Sequence, residues 1–102
     1  MGFWNLKTLR LEEFRPGIFS KVESGSNLTL AFMEISPNKE GVEHQHPFDQ
    51  CGMVVEGEIE MSIGEEKRLL KSMETYFIPA GTSHNWKTAQ SAAKILDIVL
   101  KQ

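Results

Sequence analysis

Residues 41–57, GVEHQHPFDQCGMVVEG, hold two of the three histidines of the chain in an H-x-H pair, and the reading of the rest depends on them. A strand starting near Val42 puts His44 and His46 on one face and Gln45 on the other, because side chains alternate across a strand. Two imidazoles then flank one point. Pro47-Phe48-Asp49 is a short connection, and Gln50 opens the returning strand with its carbonyl oxygen in reach of the same point. Gly52 and Val54 share the parity of Gln50, and the glycine leaves space for a ligand. Cys51 takes the opposite parity and reads as a small buried hydrophobe, and Met53 and Val55 pack outside. Residues 50–63 read as a hairpin turning at Glu56-Gly57. Its second arm sets Glu58, Glu60 and Ser62 on a wet face and Ile59, Met61 and Ile63 on a buried one.

Downstream, IPAGTSHNW, residues 78–86, is a proline and glycine turn leading into a strand that begins with the remaining histidine, His84. The strands on either side are short. Lys67 to Leu70 and Thr75 to Ile78 lie between turn residues, and the last strand, Ile95 to Leu100, is apolar except for Asp97. Upstream, Ile18 to Val22 and Leu28 to Ile35 flank the turn Ser24-Gly25-Ser26-Asn27. Strands at this spacing, closed by glycine and proline, predict an all-β sandwich or small barrel. Residues 17–102 are read as the barrel and residues 1–16 as an N-terminal arm. Leu6, Leu9 and Phe14 of the arm either pack on the barrel or on a neighbouring subunit, or form a short helix.

A chain of 102 residues has room for one core, and 40% hydrophobic with 25% charged residues is ordinary for a globular domain. A net charge of −3, with eleven scattered basic residues, argues against a nucleic-acid partner. No segment approaches the roughly 20 apolar residues of a membrane span, and no signal-type apolar run is visible near the start. The expected location is cytoplasmic. The single cysteine, Cys51, agrees with a reducing compartment.

All three histidines fall in these two motifs, and a barrel brings the strand of His84 beside the first pair. The expected centre is one divalent transition metal ion held by His44, His46, Gln50 and His84. Histidine-rich ligation suits Zn, Ni, Fe, Cu or Mn alike. The plainer alternative, histidines that merely sit on strands, leaves their clustering to coincidence. Two readings of Asp97 compete: an edge position with the acid in water, or a general acid or base beside the metal. Trp86, Tyr76, Phe48 and Phe77 read as core or pocket wall.

Residues 41–57 resemble the first motif of the cupin family, an H-x-H pair followed by an acidic ligand and a closing glycine, and residues 78–84 resemble its second, P-x-G-x-x-H. The resemblance implies a double-stranded β-helix, or jelly-roll barrel, around one metal. Gln50 stands where the family has glutamate, Met73 where a glycine opens the second motif, and Thr88 where an asparagine follows the histidine. A neutral amide leaves the ion its full charge and favours anionic ligands.

HQHPFDQ, EGEIEMSIG, IPAGTSH and ILDIVL, in that order, are most similar to the pectin-degradation cupins, which linearise unsaturated uronic acids. That likeness implies a small anionic sugar acid or keto compound as ligand and Asp97 as the catalytic proton carrier. Their aromatic residue two positions after the aspartate is Val99 here, and their downstream arginine is not matched within residues 98–102. A non-catalytic sensing module and an Fe-dependent dioxygenase are the other readings, and a homodimer is expected by analogy with small cupins.

Overall fold

The computed structural model describes residues 2–101. Nine strands make up the secondary structure of these residues, with no helix. They are β1 (Glu12–Arg15), β2 (Ile18–Ser24), β3 (Leu28–Ile35), β4 (Gln50–Glu56), β5 (Glu58–Ile63), β6 (Glu66–Lys71), β7 (Thr75–Ile78), β8 (His84–Lys87) and β9 (Ala93–Leu100). A six-stranded sheet runs β1-β2-β3-β9-β4-β7, and a three-stranded sheet runs β6-β5-β8. Every pairing is antiparallel. This is the jelly-roll architecture expected from the sequence.

The core lies between the inner faces of the two sheets. Ile18, Ile35, Val54, Ile78, Ala93 and Ile95 from the larger sheet meet Ile59, Met61 and Leu70 from the smaller. Each fully buried branched side chain among them contributes about 1.5–3 kcal/mol. The alternation in β5 is as expected, with Ile59 and Met61 buried and Glu58 exposed.

Two expectations fail. Residues 50–63 are not a hairpin, because β4 pairs with β7 and β9 while β5 pairs with β6 and β8. Between them the chain passes from one sheet to the other at Gly57, whose φ of 80° is costly for any residue with a side chain. No strand starts at Val42 either. Residues 40–44 form no strand with β8, only the isolated bridges Glu40 to Lys87 and His44 to His84 with a hydrogen bond from the Gly41 amide to the Trp86 carbonyl at 2.9 Å between them. Four steps on one side face three on the other, so no regular ladder can form.

The N-terminal residues join the larger sheet. β1 pairs with β2, and Leu6, Leu9 and Leu11 lie with Phe19 over Phe32 on the outer face, leaving Phe32 2% exposed. Phe14 is exposed, with the Arg15 guanidinium 5.5 Å from its ring centroid.

Candidate metal centre

His44 and His84 are joined backbone to backbone. The His44 amide donates to the His84 carbonyl at 3.1 Å, and the His84 amide donates back to the His44 carbonyl at 2.9 Å. Their rings lie 4.2 Å apart, and His46 sits 4.9 Å from His84 and 5.5 Å from His44. Convergence of the pair therefore comes from this bridge and from the loop that follows it, not from strand parity. One nitrogen from each ring falls within 4.8 Å of the others.

The backbone selects which nitrogen is free. Nδ1 of His44, His46 and His84 each contacts a carbonyl oxygen, of Val42 at 2.8 Å, Phe48 at 3.1 Å and Thr82 at 2.9 Å. A carbonyl only accepts, so each Nδ1 carries the proton and each Nε2 is left with a lone pair. Phe48 also stacks on His46, with ring centroids 4.1 Å apart and planes 7° from parallel. His84 is 3% exposed, and its Nε2 has no hydrogen-bond partner. Burial pushes the His84 pKa below the ordinary imidazole value, and the neighbouring rings of His44 and His46 act in the same direction against the Thr82 contact. A neutral, buried imidazole nitrogen without a partner is a ligand atom in waiting.

Gln50 opens β4 with its inner-face neighbours Val99 and Ile78 beside it. Its amide nitrogen donates to both oxygens of Asp97, at 3.1 and 2.9 Å, which turns its carbonyl oxygen toward His46 Nε2 at 2.8 Å. With the His46 proton on Nδ1, two acceptors face each other. A cation at that point, or a second proton on His46, reconciles them. The donors present thus fit a metal ion.

Asp97 is 4% exposed and sits in β9, a central strand between β3 and β4, so the edge position in water is ruled out. Burial raises its pKa above the usual carboxylate value, and hydrogen bonds from Tyr76 and Gln50 pull it part of the way back. The Tyr76 hydroxyl donates to Asp97 at 2.5 Å. Burial, then the Asp97 charge, pushes that phenol far above its ordinary range, so it remains a donor.

Tyr76 was legible in the sequence only as core or pocket wall. The signal for its role is Gly52, which pairs with Asp97 on one side and Tyr76 on the other. A Cβ on Gly52 would collide with the Tyr76 hydroxyl and come within 2.6 Å of the Leu96 carbonyl. The space expected to admit a ligand is therefore filled by Tyr76. Of the two readings of Phe77 the core fails, because it faces solvent at 58% exposure, whereas it does wall open clefts, beside Cys51 and Ile98 on one side and Tyr76 on the other. Cys51 is half-buried on that outer face. Between the unpaired edges of β6 and β7 lies a cleft of about 470 Å³ lined by Met61, Ile63, Arg68, Leu70 and Tyr76. Tyr76 is common to this cleft and to the Asp97 network.

Two antiparallel sheets with three histidines brought together at one end of β8 define a jelly-roll protein with a cluster that could hold a metal ion. The chain belongs to the cupin family, whose cupin domain model matches residues 31–99. No curated protein matches it. Among solved structures it is similar to KdgF from Halomonas sp., with 24% identity and a TM-score of 0.87 over 100% of this chain and 94% of that one. It is also similar to TT1209 from Thermus thermophilus, with 25% identity and a TM-score of 0.85 over 98% and 97% of the two chains. The polyketide cyclase RemF from Streptomyces resistomycificus shares 19% identity at a TM-score of 0.83, over 100% of this chain and 80% of its own.

Proposed function

We propose that this cupin binds one divalent metal through His44, His46, Gln50 and His84 and uses it on a small anionic sugar acid or related keto compound. Linearisation of an unsaturated uronate is the specific reaction. The observation that carries the metal is the buried, unpartnered Nε2 of His84, within 4.8 Å of a ligand nitrogen on each of His44 and His46, the latter ring meeting the Gln50 carbonyl oxygen through its own Nε2. When bound, Zn, Ni, Fe, Cu or Mn supplies Lewis-acid polarisation of a substrate oxygen.

The chain supplies the rest. The backbone carbonyls of Val42, Phe48 and Thr82 hold the imidazoles in one tautomer. Asp97, its pKa raised by burial, is the group that takes and returns the proton that ring opening must move. The reaction is an isomerisation and consumes no oxygen, so an oxygen electrode separates it from an Fe-dependent dioxygenase. Asp97→Asn is expected to abolish turnover of an unsaturated uronate while elemental analysis still finds a full complement of metal. Undiminished turnover removes Asp97 from the mechanism.

A second reading, a non-catalytic ligand-binding or sensing module, draws support from Val99, an aliphatic residue on the inner face beside Gln50. Absence of turnover by metal-loaded wild-type protein across unsaturated uronates, with retained binding, decides for that reading. We also propose a homodimer, since edge strand β7 exposes Phe77 beside Cys51, Leu28, Ile98 and Leu100. Light scattering that returns the mass of a single chain removes the dimer.

A further inference from the structure

We propose that Asp97, held by Tyr76, is the positioning residue that makes an amide rather than a carboxylate the oxygen donor of this centre. The inference rests on the reading of Gln50 as a metal ligand and explains why glutamine stands there. Asp97 lies on the inner face of β9, between Ala31 on β3 and Gly52 on β4. Its small neighbours leave the carboxylate in reach of two donors, the Tyr76 hydroxyl at 2.5 Å and the Gln50 amide nitrogen at 2.9 and 3.1 Å.

A carboxylate accepts and never donates, so the group facing Asp97 must present hydrogens. Glutamine does so with its nitrogen, and its oxygen then has one direction left, toward His46 Nε2 at 2.8 Å. The amide cannot turn over without setting its oxygen against Asp97. A glutamate at residue 50 would place a second carboxylate about 3 Å from the first, in a site where Asp97 is 4% exposed and water screens little. Residues 50 and 97 therefore form a matched pair: glutamine with aspartate, or glutamate with a side chain that donates. Tyr76 completes the arrangement by holding the other side of Asp97, in the space that Gly52 leaves.

The test is a mutant cycle on the whole chain: wild type, Gln50→Glu, Asp97→Asn, and the double variant Gln50→Glu with Asp97→Asn, with Gln50→Ala beside it. Each is measured twice, by thermal unfolding in EDTA and by calorimetric titration with Co²⁺. In Asp97→Asn the side-chain oxygen still accepts from Gln50, so Co²⁺ affinity falls little. Gln50→Glu alone is expected to unfold at lower temperature and to bind Co²⁺ about 10- to 100-fold more weakly than the double variant, the range over which supporting groups tune a metal ligand.

The double variant is expected to recover wild-type unfolding and to show the visible Co²⁺ absorption of the wild type shifted by the exchange of amide for carboxylate. A Gln50→Glu protein as stable as wild type, or a double variant no better than Gln50→Glu in both measurements, overturns the proposal. Should Gln50→Glu fail to fold, a folded double variant supports it and an unfolded one overturns it. Failure of the ligand reading is visible separately. If Gln50→Ala binds Co²⁺ as wild type does, Gln50 is not a ligand, while the metal-free unfolding of the cycle still reports whether residues 50 and 97 are matched.

Discussion

A buried carboxylate without partners carries an effective penalty of several kcal/mol. Asp97 offsets that cost with the Tyr76 hydroxyl and the Gln50 amide. Since a hydrogen bond to a charged group is worth about 1.5–3 kcal/mol, Tyr76→Phe should lower the stability of the metal-free protein by that amount. Urea denaturation measures it, and a change under about 0.5 kcal/mol means that the phenol contributes nothing there. The sequence makes His44, His46, His84 and Gln50 visible as a cluster because their types and spacing are rare together. It shows Asp97 as an anomaly in an apolar run. It does not show Tyr76 as that acid's partner, because an aromatic residue on an inward strand position looks the same whether its hydroxyl is used or not. Gly52 carries the information only once β4 is known to lie between β7 and β9, which puts Tyr76 and Asp97 on either side of it.

At the scale of elements, hydrophobic alternation gives the buried face of a strand and says nothing about its partner. The span of β3, Leu28–Ile35, and that of β7, Thr75–Ile78, follow from the residues that bound them, whereas the 50–63 hairpin does not exist. Gly57 looks like a hairpin turn in sequence and acts as a crossing between sheets. Turn chemistry also exposes a weak point in the connection between β6 and β7. Met73 stands where the family has glycine and adopts a φ of 75°, a left-handed conformation that costs a residue with a side chain about 1–2 kcal/mol. Its side chain is 75% exposed and so loses little packing on removal. Met73→Gly should therefore stabilise the protein, by about 0.5–1 kcal/mol once the greater freedom of glycine in the unfolded chain is counted. A lower midpoint in urea than that of wild type shows that the methionine makes a compensating contact.

The whole molecule is two sheets joined by an apolar core and by connecting chain, with no strand ladder between them among the described residues. The candidate ligands bridge that division. Gln50 belongs to the six-stranded sheet, His84 to the three-stranded one, and His44 and His46 to the segment between β3 and β4. An ion held by all four ties both sheets to the connecting chain, and the unfolded chain has no such constellation, so binding and folding are coupled. At a free metal concentration about 100-fold above Kd the gain is about 2.7 kcal/mol. For a domain of this length each kcal/mol moves Tm by about 4–8 °C, so saturating metal should raise Tm by roughly 10–20 °C. EDTA should reverse the rise. His84→Ala removes the ligand from the smaller sheet, and in that variant the rise should largely vanish. Thermal melts of protein prepared without a metal-binding tag, with Zn²⁺, Ni²⁺, Co²⁺ or Mn²⁺ added in turn, measure all three quantities. A wild-type Tm indifferent to every ion would falsify the metal centre, and an equal rise in His84→Ala would place the binding elsewhere in the chain. The ion giving the largest shift identifies the best fit among those tried, which spacing and donor type leave open.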